Sequence, residues 1–211
     1  MTVPLDVVLC FHNAFRRATQ EMDDTAFKVA RSGGDIASVL KRYQFAGEFL
    51  GYHAKGEEEA VFPVVEKLVP QVVKTYLLDH RELDTMVDGL DTMQAEPDAL
   101  KAARTTAVLN SHLRIHLYKE DTYLYPILKE QLTVSEQSSI IGVMSRDIPQ
   151  DKTPKAIRWL FPLLTHNDRA LVAKTWMTMM PPQVFAGIKP LIRETIADDW
   201  DELIQRVPEL K

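Results

Sequence analysis

The chain has 211 residues and a formal net charge of −5, a size that suits one domain or one domain with an appendage. Hydrophobic residues make up 45% of it, which allows a buried core, and the basic residues form no stripe of the kind that binds nucleic acid. No apolar run approaches the roughly 20 residues of a membrane-spanning helix. We therefore expect a protein that binds neither nucleic acid nor membrane.

The N-terminal stretch and the cysteine content bear on the cellular compartment. The first residues lack a basic start, and Asp6 and His12 interrupt their apolar character, so a signal peptide is not predicted. Cys10 is the single cysteine, which excludes an internal disulfide framework and fits a reducing cytoplasm. We expect a cytoplasmic protein in which Cys10 is a small buried core residue.

Apolar residues recur at three- and four-residue intervals through almost the whole chain, which predicts an all-α protein. Pro4 opens a first helix, and residues 32–35 (SGGD) end it and cap a second. Pro70 and Pro97 mark the starts of a third and a fourth helix. Because the connections are short, the four helices should form an up-down-up-down four-helix bundle.

The pattern changes after residue 132, where Thr133 and Glu136 form a capping-box motif and shorter helices follow. We therefore predict two sections. Residues 1–132 form the four-helix bundle, and residues 133–211 form a C-terminal helical extension that packs on it.

Each bundle helix carries histidine on the apolar stripe that points into the bundle. The second and fourth helices add a glutamate four residues after a histidine, on the same face. Counted from the helix ends, one histidine of each helix lies in the same half of the bundle, so these groups can converge in one layer. The inward polar residues are His12, His53, Glu57, His80, His112, His116 and Glu120.

Such a layer is costly without a partner, because a buried ionised carboxylate or unpaired imidazole loses its hydration. A pair of cations offsets that cost by binding the imidazoles and bridging the carboxylates. With no cysteine ligand available, this shell suits iron or manganese better than a thiolate zinc site. Four imidazoles and two bridging carboxylates supply about eight of the roughly twelve bonds of two octahedral ions, which leaves room for a shared oxygen and a small ligand.

Two segments repeat one another: HAKGEEEAVFP at 53–63 and HLYKEDTYLYP at 116–126. Together with His12 and His80 they give the order H…HxxxE…H…HxxxE, which resembles the hemerythrin-like (HHE) family of di-iron four-helix bundles. The resemblance covers roughly residues 5–132. It implies two iron ions, oxo- or hydroxo-bridged, held by His12, His53, Glu57, His80, His116 and Glu120.

The chain departs from the oxygen-carrying hemerythrins, which have two histidines four residues apart on the third helix. Tyr76 and Asp84 flank His80 at those distances here, and the additional imidazole is His112 on the fourth helix. Reversible oxygen transport therefore does not follow from the resemblance. The candidates for extra ligands, or for residues that support a ligand, are His112, Glu58, Tyr76 and Tyr123.

Pro63 and Pro126 lie inside otherwise helical patterns, just past each glutamate of the repeat. A proline there removes a backbone hydrogen bond and bends the chain. Either each helix continues past its proline with a kink, or it ends nearby.

The resemblance implies a protein that binds or senses dioxygen, nitric oxide or peroxide at a His/Glu-bridged iron centre. Residues 133–211 would then read out the change, and the sequence leaves the protein partner unknown. An alternative is a di-iron enzyme that turns over peroxide, dioxygen or nitric oxide, so the sequence leaves open whether this is an enzyme. Iron storage or donation is less favoured, because nothing resembles the acid-rich channel of a ferritin.

Overall fold

The computed structural model describes residues 3–146 and 148–211, and all regular structure within these ranges is helical. These residues divide into two compact units. One comprises Phe15–Leu128, and the other comprises Lys129–Lys211 together with the chain as far as Ala14. The expectation that residues 133–211 pack on the bundle concerns the placement of the two units and stays a prediction.

Four long helical stretches build the bundle, and two of them contain a π-helical turn. They are α1 (Asp6–Ser32); α2 (Ile36–Gly56), which continues through Glu57–Val61 into α3 (Phe62–Leu68); α4 (Val73–Thr92); and α5 (Ala99–Lys119), which continues through Glu120–Leu124 into α6 (Tyr125–Gln131).

Side-chain contacts show that neighbouring stretches run antiparallel. On α1 and α2, Phe15 contacts Phe49, whereas the Tyr43 hydroxyl donates to the Ala18 carbonyl nearer the connecting turn. On α1 and α5, Thr19 donates to Asn110 at 3.2 Å. The predicted up-down-up-down bundle and the all-α class are therefore confirmed.

The helix ends follow the local signals in the sequence. Gly33 takes a φ of +77°, which L-residues rarely adopt, and its N–H caps α1 by donating to the Val29 carbonyl. The Asp35 side chain accepts from Ser38 N at 3.1 Å at the start of α2, and Asp98 does the same for α5. The end and cap predicted from residues 32–35 are confirmed.

Gly47 on α2 lies against Val87 on α4. A Cβ atom there would lie 2.7 Å from Val87 Cγ1, whereas a Cβ at Gly51 would meet nothing within 4 Å. Alanine in place of a helical glycine ordinarily stabilises by about 0.5–1 kcal/mol, but overpacking costs about 1–3 kcal/mol. We expect Gly47→Ala to lower the free energy of unfolding measured in urea and Gly51→Ala to raise it. Stabilisation by both would contradict the close packing.

The other unit contains the shorter helices predicted after residue 132. They are α7 (Val134–Arg146), α8 (Thr153–Leu163), α9 (His166–Met179), α10 (Pro182–Thr195) and α11 (Trp200–Arg206). The capping box at the start of α7 is confirmed, because Thr133 Oγ1 accepts from Glu136 N and Thr133 N donates to the Glu136 carboxylate.

The core of this unit includes the predicted buried cysteine. Cys10 is 1% exposed, and burial raises the pKa of its thiol. Arg169 is also buried, and its guanidinium donates to the Phe161 carbonyl at 2.8 Å and to Asp199 at 2.6 Å. The charge of Arg169 is therefore compensated within the unit. Among the described residues, every helix is too short or too polar to cross a membrane.

Candidate metal centre

The two repeat segments share one local backbone. A five-residue π-helical turn begins at Glu57 and another at Glu120, each directly after an α-helix. In each turn the amide that closes it, from Phe62 or Tyr125, donates to the carbonyl of that glutamate. Such single-turn π bulges are frequent at functional sites.

The π turns explain how the helices pass the two prolines. A proline ring in an α-helix clashes with the carbonyl four residues earlier, and the wider turn shifts that carbonyl. The chain stays helical for seven residues from Phe62 and for seven from Tyr125. Of the two alternatives for Pro63 and Pro126, the continuing helix is confirmed and the helix end is wrong.

The helices bring together a buried cluster of two imidazoles and two carboxylates. Glu57, His80, His116 and Glu120 are at most 2% exposed, and each offers one atom within 4.8 Å of the others. His53 Nε2 lies 3.4 Å from Glu57 Oε1, and His80 Nε2 lies 3.5 Å from Glu57 Oε2. His116 Nε2 lies 3.1 Å from Glu120 Oε1. Five of the six predicted ligands therefore meet at one level of the bundle.

His12, the sixth predicted ligand, lies on the part of α1 before Phe15 and is fully buried. The Phe15 ring, three residues further along the same helix, lies 5.4 Å from the His53 ring, centroid to centroid. The role of His12 as a ligand stays a prediction.

The electrostatics of the cluster disfavour an uncompensated carboxylate and favour a positive charge near it. Burial raises the pKa of Glu120 well above its ordinary value, and the charge of Glu57 raises it further. Burial alone would lower the pKa of His80, but hydrogen bonding to Glu57 and the charges of Glu57 and Glu120 outweigh it and raise the pKa to about 9. Burial lowers the pKa of His116.

The donor atoms fit a metal ion. In the part of the chain that the structure describes, the buried His80 Nε2 forms no close hydrogen bond, since Glu57 Oε2 lies 3.5 Å from it. Imidazole nitrogens and carboxylate oxygens are the ligands of non-heme iron and manganese, and a cation among them would supply the charge that the carboxylates need. The geometry therefore meets the expectation of a metal site.

Two imidazoles of the cluster are oriented by carboxylates outside it. His80 Nδ1 lies 3.1 Å from Glu58 Oε1, and Arg81 donates to the other oxygen of Glu58 at 2.8 Å. His116 Nδ1 lies 3.1 Å from Asp79 Oδ2, to which Lys119 also donates. A carboxylate at the far nitrogen fixes the ring and increases the basicity of the ligating nitrogen.

Asp79 was missed by the sequence analysis, because its partner lies on the neighbouring helix. Burial alone would raise the pKa of Asp79, but hydrogen bonds from Lys119 and His116 lower it. The His112 ring also lies near acidic side chains outside the cluster. Its Nε2 lies 3.8 Å from Asp79 Oδ1, and its Nδ1 lies 3.4 Å from a carboxylate oxygen of Glu82. The structure thus places His112 beside Asp79 rather than among the clustered atoms.

The two tyrosine candidates differ in position. Tyr76 is buried, its hydroxyl donates to the Lys119 carbonyl at 3.3 Å, and its ring lies 6.1 Å from that of His116. Burial, followed by the charge of Glu120, raises its pKa to about 12. Tyr123 is 58% exposed and contacts Tyr118, so the structure does not bring it to the cluster.

Tyr125 contacts the cluster directly and was not singled out from the sequence. It is fully buried, and its hydroxyl donates to Glu57 Oε1 at 2.6 Å. Burial and then the charge of Glu57 raise its pKa. The sequence repeat could have identified Tyr125, because it occupies the position of Phe62 in the other copy.

A cavity of about 10 Å³ lies beside the cluster, between α2, α4 and α5. Its apolar walls are Leu50, Leu83 and Leu117, and His53, His80 and His116 also line it. A volume of this order holds about one water-sized molecule. The site therefore has room for a ligand of very few atoms.

Comparison with known proteins defines the class. The hemerythrin HHE cation binding domain matches residues 3–128, so the chain belongs to that family. The resemblance drawn from the repeat is confirmed. Membership of this family and the His/Glu cluster together indicate that the chain binds iron or another metal.

Similar curated proteins come from Arabidopsis thaliana. A BRUTUS-like zinc finger protein is 23% identical over 206 residues, which are 93% of this chain and 16% of the relative. Zinc finger protein BRUTUS is 26% identical over 164 residues, 74% of this chain and 13% of the relative. The chain thus spans about a sixth of the length of these relatives or less. No solved structure matches it.

Proposed function

We propose that this chain is a non-heme di-iron protein that binds or senses dioxygen, nitric oxide or peroxide. The observation that carries the proposal is the buried cluster of Glu57, His80, His116 and Glu120 on facing helices. The cofactor would be two iron ions that share an oxo or hydroxo group. The cytoplasmic location remains a prediction from the sequence. The full ligand set is His12, His53, Glu57, His80, His116 and Glu120.

Helix geometry supports His12 as the remaining ligand. α1 is unbroken from Asp6 to Ser32, and residues three apart on a helix share a face. Phe15 faces His53, so His12 lies one turn earlier on the same face of α1. The family match spans His12 as well. His12 then supplies the second imidazole on the His53 side.

The ligand set and the cavity support a small exogenous ligand. Four imidazoles and two bridging carboxylates leave about two positions open after a bridging oxygen is counted. The adjacent cavity of about 10 Å³ limits the ligand in those positions to very few atoms. Dioxygen, nitric oxide and peroxide fit both restrictions.

Bound iron supplies redox and Lewis-acid chemistry, and the protein controls its surroundings. Glu58 and Asp79 fix the rings of His80 and His116 through their Nδ1 atoms. Leu50, Leu83 and Leu117 give the cavity apolar walls, which limit the approach of water. The Tyr125 hydroxyl donates a hydrogen bond to Glu57 Oε1.

One observation favours the enzyme alternative, in which peroxide, dioxygen or nitric oxide is turned over. Lys119, Asp79 and His116 form a connected hydrogen-bonded series, and the Lys119 side chain is 29% exposed. Such a series provides a route for protons between solvent and a ligand of the metal. A binding protein does not need that route.

An optical titration separates binding from turnover. Anaerobically reduced, iron-loaded protein is titrated with dioxygen, and the oxygen is then removed. We expect a new charge-transfer band that disappears on deoxygenation, which is the behaviour of a carrier or sensor. A band that persists until a reductant is added would indicate oxidised irons and favour the enzyme. No new band would contradict both.

A further inference from the structure

We propose that the two metal positions of the cluster differ in affinity and that the Tyr125 hydroxyl is a positioning residue that sets much of the difference. The tighter position is formed by His80, His116 and Glu120, and the weaker one lies on the His53 side. This inference rests on the proposed function, because it requires two ions at the cluster.

The two oxygens of Glu57 face different positions. Oε1 lies 3.4 Å from His53 Nε2, and Oε2 lies 3.5 Å from His80 Nε2. A bridging Glu57 therefore offers Oε1 to an ion on the His53 side and Oε2 to an ion on the His80 side. Any group that affects one oxygen more than the other makes the two positions unequal.

Tyr125 affects only one of these oxygens in the geometry observed. Its hydroxyl donates to Glu57 Oε1 at 2.6 Å, with both side chains fully buried. A hydrogen bond to an ionised acceptor is short and strong. It uses a lone pair of Oε1 and draws electron density from it, so the bond from Oε1 to an ion on the His53 side weakens. Oε2 remains the better donor.

The opposite position is strengthened by two carboxylates. Glu58 lies at His80 Nδ1 and Asp79 lies at His116 Nδ1, each at 3.1 Å. These contacts make both imidazoles better donors through their Nε2 atoms. The effects of Tyr125, Glu58 and Asp79 therefore all favour binding of the first ion on the His80 side.

The repeat shows that the two halves differ at the position of the Tyr125 hydroxyl. Phe62 occupies the position of Tyr125 in the other copy, and its ring stacks on His80 with centroids 5.1 Å apart. Phenylalanine has no hydroxyl with which to bond a carboxylate. The two halves share their His, Glu and Pro positions but differ in this donor.

Stepwise binding of Co(II) to the metal-free protein tests the inference. Cobalt absorption bands and calorimetry give the two binding constants for the wild type, for Tyr125→Phe and for the matched control Tyr76→Phe, whose hydroxyl bonds a backbone carbonyl. We expect the wild type to bind the first ion about 10–100-fold more tightly than the second. Tyr125→Phe should tighten binding of the second ion by about tenfold, the value of one hydrogen bond to a charged group, and so narrow that ratio. Tyr76→Phe should leave the ratio unchanged.

Asp79→Asn tests the order of filling independently of Tyr125. Asp79→Asn should weaken binding of the first cobalt ion by about tenfold and leave binding of the second nearly unchanged. An unchanged ratio in Tyr125→Phe, or an Asp79→Asn effect confined to the second step, would overturn the inference. Failure of the proposed function gives a different result, since the wild type would then bind fewer than two cobalt ions.

Discussion

Glu57→Ala and His53→Ala are expected to lose most of the bound iron. Glu57 is fully buried, and its two oxygens face His53 and His80, so its removal takes a ligand from both metal positions. His53 has its Nε2 at 3.4 Å from that carboxylate. The measurement is iron per chain, by elemental analysis, after anaerobic loading and gel filtration.

Glu58→Ala is the matched control, because Glu58 is the adjacent acid and supports a ligand without belonging to the cluster. Its carboxylate lies at His80 Nδ1 and pairs with Arg81. The loss of such a support lowers metal affinity by about 10–100-fold, so the variant should still fill at saturating iron. Equal iron retention in Glu57→Ala, His53→Ala and Glu58→Ala would refute the ligand assignment.

Glu120→Gln is expected to stabilise the metal-free protein, even though it removes a metal ligand. Glu120 is fully buried among other charged groups. Burial and the charge of Glu57 disfavour the ionised form of Glu120 more than the neighbouring imidazoles favour it, so a neutral amide of similar size is better tolerated. We therefore expect a higher free energy of unfolding in urea for metal-free Glu120→Gln than for metal-free wild type.

The stabilisation should increase with pH. The pKa of Glu120 in the folded protein lies well above its ordinary value of 4.5, so the unfolded chain releases this proton at a lower pH. Folding of the wild type is then penalised as the pH rises above 4.5, and the penalty is complete above the folded-state pKa. Glutamine has no such penalty. The free energy of unfolding in urea should therefore differ more between metal-free Glu120→Gln and metal-free wild type at pH 8 than at pH 5.

Asp121→Asn provides the control for that experiment. Asp121 adjoins Glu120 in the chain but forms an ion pair with Arg16, and both side chains are about a fifth exposed. Removal of its charge should slightly lower the free energy of unfolding. If both variants shift stability in the same direction by the same amount, burial of the Glu120 charge is not the cause.

The features that the sequence predicted are those encoded locally. Residues 32–35 terminate α1 and cap α2 through their own backbone and side chains. The spacing of His53 and Glu57, and of His116 and Glu120, places each pair on one helix face whatever the partner helices are. The repeat also identified both segments as one kind of unit.

The features that were missed depend on contacts between helices. Asp79 adjoins His80 in the chain, but its carboxylate supports His116 on α5. Tyr125 reaches Glu57 on the other half of the bundle, whereas Tyr123, one of the candidates named from the sequence, is mostly exposed. The π turn Glu120–Leu124 shifts the phase of the side chains by one residue, which a regular 3.6-residue period does not anticipate.

Anomalous diffraction at the iron absorption edge, from crystals of the iron-loaded protein, locates the bound ions. We expect two iron peaks per chain at the cluster of Glu57, His80, His116 and Glu120, with His53 beside one of them and Glu57 between the two. A single peak, or iron bound only elsewhere on the chain, would contradict the proposed di-iron centre.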